Sequence, residues 1–259
     1  MRTFPSILLI WLILAAPTSA AEWTFVTEDF PPFTYRAERF GNTGAGTHQA
    51  KGPLVEIVQA VCSHLRQDCS IKVHPWQRAL RQAEQGEADG IFTVVRSPQR
   101  ERAFHITRML VTSRYSVFAR EGSAFVYSQP GDLAGRVIGV YGPSGTSYVL
   151  SQRLEPVADV QIHLTASNRR LLQMLSSGRF GEHGLAVLNQ DVAWHLIKEE
   201  QLDGLYETGE LAMVSYGIGL SRKRFSEAQF KVFEQALDTL IADGTVSVIL
   251  RRHQLQAAY

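Results

Sequence analysis

The chain has 259 residues, of which 45% are apolar and 20% are charged. Its 26 basic and 25 acidic residues nearly balance, so no charge excess attracts nucleic acid, and no nucleic-acid partner is expected. A chain of this size lies near the length at which one hydrophobic core divides into two, which favours two lobes.

The first 20 residues have the features of a cleavable signal peptide. Arg2 provides the positive start, residues 7–16 form an apolar run, and residues 18–20 are small enough for a cleavage site. The run is too short to span a bilayer, and no later stretch reaches the roughly 18 apolar residues that a spanning helix needs. The sequence therefore predicts residues 1–20 as a signal peptide and a mature chain secreted to the periplasm.

Strand and helix patterns alternate in the first half of the mature chain. Residues 23–27 predict a strand, and Gly52 and Pro53 open a helix whose apolar residues recur at intervals of three and four. Strands at 70–74 and 88–95 enclose a helix at 78–85. Such a β-α-β-α-β unit predicts a parallel sheet, whose ligands collect at the carboxyl ends of the strands.

Between the first strand and the first helix, residues 37–52 contain Gly41, Gly44 and Gly46 ahead of Gly52. This segment is longer than a hairpin requires. It is interpreted either as a mobile flap over a binding cleft or as an inert flexible loop.

The same plan repeats after Leu133. Strands are predicted at 136–141, 160–164 and 184–188, with helices at 146–154, at 167–176 and from 191. Residues 115–120 and 212–221 are extended segments fit to cross between two lobes, and paired crossings of this kind make a hinge. Two helices end the chain, the first capped by Ser226 and the second following Gly244.

Cys62 and Cys69 are the only cysteines in the chain. In a secreted chain, a close pair is typical of a disulfide, here joining the end of a helix to the start of a strand. The alternatives are two buried thiols or half of a metal site. The eight histidines show no ligand spacing, and no nucleophile motif is present, so neither a metal site nor covalent catalysis is predicted.

Four stretches together resemble family 3 of the extracellular solute-binding proteins, which serve polar amino acid ABC transporters. They are Thr-Glu-Asp-Phe-Pro-Pro-Phe at 27–33, Gly-Glu-Ala-Asp-Gly-Ile-Phe at 86–92 with Ser-Pro-Gln-Arg at 97–100, Asp-Leu-Ala-Gly-Arg-Val-Ile-Gly at 132–139, and Ala-Asp-Gly-Thr at 242–245. The spacing of Cys62 and Cys69 is similar to that in the histidine and the lysine-arginine-ornithine binding members.

The resemblance implies an α/β, type II periplasmic binding protein fold with two lobes. Each lobe is then a central sheet flanked by helices, with two hinge crossings between them. Lobe 1 is predicted to comprise residues 21–117 and 216–259, and lobe 2 residues 118–215. The implied function is that of a periplasmic monomer without a cofactor, which closes around a small carboxylate-bearing solute and presents it to an ABC transporter permease.

The resemblance also implies a ligand-binding set. Arg100 matches the arginine that grips a ligand carboxylate, because a guanidinium fork pairs both carboxylate oxygens. Thr146 lies at the start of a helix, where backbone N–H groups bind anions. Phe30 and Trp76 are expected to form aromatic walls, and Thr93 is assigned to the same cleft.

One position departs from the family pattern. Members that bind α-amino acids usually hold the ligand ammonium with an aspartate near the end of the 184–188 strand, where this chain has Asn189. Asn189 is assigned to the ligand-binding set, but an amide gives up the charge assistance of a carboxylate. The loss of that charge predicts that the solute is not an ordinary α-amino acid. Val95, at a position where members often have a hydroxyl, supports this prediction.

Two other functions remain open. One is a secreted ligand sensor that docks to a membrane receptor instead of a transporter. The other is an enzyme similar to the periplasmic cyclohexadienyl dehydratases, with Glu28 or Glu182 as general acid or base; this requires a cleft carboxyl group with a raised pKa.

Overall fold

A computed structural model describes residues 22–37 and 49–259. The predicted signal peptide and most of the glycine-rich 37–52 segment lie outside the described residues. Elements of the first half are the strands β1 (Trp23–Thr27), β2 (Tyr35–Ala37), β3 (Gln49–Lys51), β4 (Cys69–Val73), β5 (Gly90–Val94) and β6 (Phe104–Ile106), with the helices α1 (Pro53–His64), α2 (Trp76–Gln85) and α3 (Pro98–Ala103).

The chain then continues through a second series of elements. They are the strands β7 (Val111–Arg120), β8 (Val137–Tyr141), β9 (Gln161–Thr165), β10 (Leu185–Asn189), β11 (Leu205–Ser221) and β12 (Gln256–Ala257), with the helices α4 (Gly145–Leu154), α5 (Asn168–Ser176), α6 (Gln190–Glu199), α7 (Glu227–Ala242) and α8 (Thr245–Arg252). The helices and the parallel strands predicted from periodicity are present, with ends that shift by one or two residues. Short elements such as α3 and β6 were not predicted.

One mixed sheet runs through the described part of the chain in the order β4-β1-β5-β11-β7-β10-β8-β9. β1 pairs in parallel with β4 and β5, and β8 pairs in parallel with β9 and β10. β7 and β11 are antiparallel and join these two parallel groups. The carboxyl ends of β1, β5 and β8 carry the residues of the site described below.

β11 is much longer than the 212–221 segment predicted to cross between lobes. It pairs with β7 from Leu205 to Tyr216 and with β5 from Gly217 to Leu220, and its register shifts between Gly217 and Ile218. The two parallel groups are therefore connected by a continuous antiparallel ribbon. The lobe boundaries at 117/118 and 215/216 stay a prediction.

Helices cover both faces of the first parallel group. Phe25 belongs to an apolar cluster with residues of α1 and α7, whereas the next residue, Val26, packs in a cluster with residues of α2. Successive strand residues point to opposite faces, so α2 lies on the other side of the sheet from α1 and α7. In the second group, α4, α5 and α6 pack against the sheet.

Cys62 and Cys69 form the predicted disulfide, with their Cα atoms 6.2 Å apart. The bond joins the last turn of α1 to the first residue of β4. It therefore ties a helix to the sheet edge in the half of the molecule that supplies Trp76 and Arg100. No helix in the described ranges is long and apolar enough to cross a membrane.

Candidate functional site

The main cavity has a volume of about 720 Å³ and is lined by both halves of the molecule. The first half contributes residues that follow β1 and β5 and residues of α2 and α3. The second half contributes Tyr141 at the end of β8 and the start of α4. Five of the six predicted ligand-binding residues line this cavity, namely Phe30, Trp76, Thr93, Arg100 and Thr146.

Arg100 lies in α3, the helix that follows β5. The family resemblance placed this arginine at the end of that strand. Ser97 caps this helix by accepting a hydrogen bond from the Arg100 backbone N–H at 3.3 Å. The Arg100 guanidinium pairs with Glu84 at 3.0 Å and lies 5.8 Å from the centroid of the Trp76 ring. Its side chain is 16% exposed, and burial lowers its pKa while Glu84 opposes that shift. Arg100 is thus held in place at the cavity wall.

Two further arginines of the same segment line the cavity. Arg96 pairs with Glu101 and donates to two backbone carbonyl groups. Arg102 is exposed at the rim and forms no ion pair with any described residue. This wall of the cavity is therefore cationic.

The start of α4 faces the cavity from the second half. Ser144 caps the helix. Its backbone carbonyl accepts the first helical hydrogen bond, which the backbone N–H of Tyr148 donates. The backbone N–H groups of Gly145 and Thr146 precede this bond and are free to bind an anion. A Cβ atom on Gly145 would lie 3.1 Å from the Tyr115 hydroxyl and 3.2 Å from Val95, so glycine permits this close approach of the helix start.

Aromatic side chains form the floor of the cavity. Phe30 stacks on Phe33 and contacts Tyr216 edge-on, with ring centroids 5.5 and 5.7 Å apart. Trp76 is the first residue of α2, not the end of a strand as predicted, and is 5% exposed. Its indole N–H is buried without a hydrogen-bond partner among the described residues.

Thr93 is in a strained backbone conformation. Its φ of +66° lies in the left-handed region, which is unfavourable for a β-branched residue. The Thr93 hydroxyl donates to the carbonyl oxygen of Phe92. Backbone strain of this kind concentrates at functional sites, and Thr93 lines the cavity at the end of β5.

Glu28 is the acidic group at the inner end of the cavity. Burial is the largest influence and, with repulsion from Asp29, raises its pKa to about 8, although a hydrogen bond with Tyr141 opposes the shift. Burial and the nearby Glu28 also raise the pKa of Tyr141, whose hydroxyl accepts a hydrogen bond from the Trp76 backbone N–H. At neutral pH Glu28 is therefore mostly protonated, and Tyr141 connects it to α2 across the cleft.

Two further tyrosine hydroxyls form a separate pair at the cavity, those of Tyr115 and Tyr216. Burial raises the pKa of Tyr115 to about 12, and Tyr115 is hydrogen-bonded to Tyr216 and Thr146. Burial also raises the pKa of Tyr216. All three tyrosines, including Tyr141, were missed as site residues by sequence reasoning. Only Tyr141, which ends a strand before a glycine-containing turn, carried a usable sequence signal.

Asn189 does not line the cavity. Its side chain is 1% exposed and lies at the start of α6, where its Oδ1 accepts from the Val192 N–H at 3.1 Å. Its Nδ2 donates to Ser113 at 2.9 Å and to Tyr216 at 3.0 Å. The structure therefore uses both ends of this amide within the protein, and an asparagine before a helix is a known capping signal.

The family described as bacterial extracellular solute-binding proteins, family 3, matches residues 24–256. No curated protein matches the chain. Among solved structures, the sensor domain of a histidine kinase with similarity to periplasmic binding proteins is 19% identical with a TM-score of 0.76. That alignment covers 92% of this chain and 98% of the other.

Two similar structures are binding proteins solved with arginine. The amino acid ABC transporter substrate-binding protein AbpA of Streptococcus pneumoniae is 17% identical, with a TM-score of 0.73 and coverage of 89% of this chain and 93% of that chain. An ancestral arginine-binding protein is 18% identical, with a TM-score of 0.76 and coverage of 90% and 98%. These likenesses confirm the predicted α/β, type II periplasmic binding protein fold.

Proposed function

Because the chain belongs to family 3 of the bacterial extracellular solute-binding proteins, as its sequence motifs predicted, we propose that it captures a small carboxylate-bearing solute in the main cavity. The observation that carries the proposal is the position of Arg100 in this cavity, which the free N–H groups at the start of α4 also line. A guanidinium and a helix start together offer charge-assisted donors from both halves of the molecule to one carboxylate.

The electrostatics of the cavity favour an anion. Three arginines line one wall. Among the described lining residues the acidic ones are Glu84, which pairs with Arg100, and Glu28, while Arg96 pairs with Glu101 outside the lining. Glu28 is mostly neutral at pH 7 because its pKa is about 8.

An α-ammonium group lacks a dedicated partner here. Asn189 stands where α-amino acid binders place an aspartate, and its amide is occupied by Ser113, Tyr216 and the Val192 N–H. We therefore infer a carboxylate solute other than an ordinary α-amino acid. The arginine bound to the neighbouring structures is a property of those proteins.

Capture is proposed to occur by closure of the predicted lobes about the β7–β11 ribbon. Contacts already cross the cleft: Tyr141 bonds to Glu28, and Gln77 donates to the carbonyl oxygen of Pro143. A solute shifts the equilibrium between the open and closed forms only by the difference between its binding free energies for the two forms. Arg100 in one half and Thr146 in the other provide that difference.

The proposed partner is the membrane permease of an ABC transporter. The protein is proposed to reach this permease as a monomer in the periplasm, after its signal peptide has been removed. The likeness to a histidine kinase sensor domain favours a second candidate, a ligand sensor that signals through a membrane receptor. Solute-dependent stimulation of ATP hydrolysis by a reconstituted permease supports the transporter role. Solute-dependent receptor phosphorylation without such stimulation supports the sensor.

Enzymatic activity is the weaker alternative, although one observation favours it. Glu28 meets the requirement for a cleft carboxyl group with a raised pKa, whereas Glu182 is exposed and does not line the cavity. We propose binding without chemical conversion. Recovery of the solute unchanged after prolonged incubation with stoichiometric protein supports binding, and recovery of a dehydrated product would establish the enzyme.

The first test uses protein that has been unfolded and then refolded, which removes any ligand carried over from the cell. A thermal-shift screen selects small organic acids that bind, and calorimetric titration then measures their affinity. Arg100→Ala should weaken binding by about 30-fold or more, because a desolvated charge pair loses about 2 kcal/mol or more when one partner is removed. Arg81→Ala serves as the matched control, since Arg81 is an exposed arginine of α2 that does not line the cavity. Undiminished affinity in Arg100→Ala contradicts the proposal.

A further inference from the structure

A second cavity of about 340 Å³ borders the main one. Glu28 and Tyr141 line both cavities, so these two side chains lie at the border. The second cavity is also formed by both halves of the molecule. Its other polar lining residues are Asp29, Arg36, His74, Ser167, Asn168 and Arg169.

We propose that this second cavity binds an anionic group, so that the solute carries a second acidic group at its far end. The inference rests on the proposed capture of a carboxylate in the main cavity. It narrows the solute class to elongated molecules with an acid at each end.

The start of α5 forms one side of the second cavity. Ser167 caps the helix by accepting from the Arg170 N–H at 3.2 Å, and Leu171 donates the first helical hydrogen bond. The backbone N–H groups of Asn168 and Arg169 therefore have no helical acceptor. They point along the positive end of the helix dipole, which favours an anion.

The side chain of Asn168 also indicates a ligand in the second cavity. It is 8% exposed, it lines the second cavity, and its side chain forms no hydrogen bond with any described residue. Its amide group borders the cavity without a protein partner, and a polar group in such a position is satisfied by water or by a ligand. An acidic group in the cavity would accept a hydrogen bond from its amide nitrogen.

Three basic residues line the second cavity, and they differ in charge. Arg36 donates to the Val73 carbonyl at 2.9 Å but forms no ion pair with a described residue, whereas Arg169 is neutralised by Glu199 and Glu200. Burial first, and then the positive charges of Arg78, Arg36 and Lys72, lower the pKa of His74.

Two carboxyl groups lie at the same cavity. Asp29 is at the rim, where it accepts from the Arg36 backbone N–H at 3.3 Å. Glu28 is mostly protonated at neutral pH. The Asp29 contact is with the backbone of Arg36, so the guanidinium of Arg36 forms no ion pair with any described residue.

The experiment compares the dicarboxylic acids from succinic to suberic acid with the monoamide of each, which has the same length and one acid fewer. Calorimetry on the full mature chain should show about tenfold tighter binding of at least one diacid than of its monoamide, as expected for a hydrogen bond to a charged group. Arg36→Gln and Asn168→Ala should each reduce that preference. Arg78→Gln, which alters a nearby cation outside the cavity lining, should retain most of it.

Equal binding of every diacid and its monoamide to the unmodified protein would overturn the second anion site. If Arg100→Ala weakens both members of each pair in that case, the proposed carboxylate capture stands. A preference that survives both Arg36→Gln and Asn168→Ala also overturns the site. Absence of binding by all of these acids rejects the second site and the carboxylate capture together.

Discussion

Glu28 is the residue whose chemistry depends most on its surroundings. Its carboxyl group lies between two cavities, and it contacts Tyr141 from the opposite half of the molecule. Burial is the largest influence on its pKa, the charge of Asp29 acts in the same direction, and together they favour the neutral acid. A neutral Glu28 can donate a hydrogen bond, which an ionised carboxylate cannot.

The raised pKa of Glu28 predicts a pH dependence of stability. Between the ordinary value of about 4.5 and the folded value of about 8, the folded protein holds a proton that the unfolded chain has released. The contribution of Glu28 to the free energy of unfolding is therefore largest below pH 4.5 and is lost as the pH rises to about 8. Glu28→Gln should remove this component.

Thermal unfolding of both proteins from pH 5 to pH 9 measures that difference. The melting temperature of the unmodified protein relative to Glu28→Gln should fall by roughly 10 °C as the pH rises, since each pH unit between the two pKa values removes about 1.4 kcal/mol and about 1 kcal/mol corresponds to 2–4 °C in a chain of this size. Parallel curves for the two proteins would show that Glu28 keeps an ordinary pKa.

At the scale of the elements, the disulfide fixes the junction of α1 and β4. Cys62 is buried on α1, and Cys69 begins the edge strand that pairs with β1. The strand continues toward Trp76 at the start of α2. The bond therefore stabilises the part of the sheet from which one cavity wall is built.

The double variant Cys62→Ala/Cys69→Ala should lose roughly 2–3 kcal/mol of unfolding free energy, the chain-entropy value for a short closed loop. Denaturant titration with and without a reducing agent is the measurement. The reducing agent should destabilise the unmodified protein and leave the double variant unchanged. Equal stability of the two oxidised proteins would mean that strain or structure in the unfolded chain cancels the gain.

At the scale of the whole molecule, the ribbon of β7 and β11 is the continuous connection between the two parallel groups. Register shifts interrupt the ribbon between Glu207 and Gly209 and between Glu210 and Ala212, and the pairing of β11 with β5 shifts between Gly217 and Ile218. Local irregularity in a strand provides a point at which the ribbon can bend. Closure of the proposed lobes is expected to use this region.

Small-angle scattering should show a smaller radius of gyration when a bound solute closes the lobes. The same solute concentration should not compact Arg100→Ala, because that variant loses one of the contacts made only in the closed form. Identical scattering of the free and solute-saturated protein would contradict capture by closure. A thermal shift measured on the same samples separates that result from a failure to bind.

The sequence by itself determined the alternation of strands and helices, because apolar spacing and capping residues act locally, as in α1 and α7. It also predicted the cysteine pair, the family and five residues that line the main cavity. Asn189 was interpreted as a ligand residue on the family pattern, although its position before α6 was equally consistent with a cap.

Only the tertiary structure decided the properties that depend on distant segments meeting. Tyr115, Tyr141 and Tyr216 come from three different strands, and the hydrogen bond between Tyr115 and Tyr216 and that between Tyr141 and Glu28 have no signature in any one stretch of sequence. Desolvation of Glu28 and the unpartnered amide of Asn168 likewise follow from the packing of both halves. Burial and electrostatic potential are sums over the folded molecule, and local sequence patterns do not contain them.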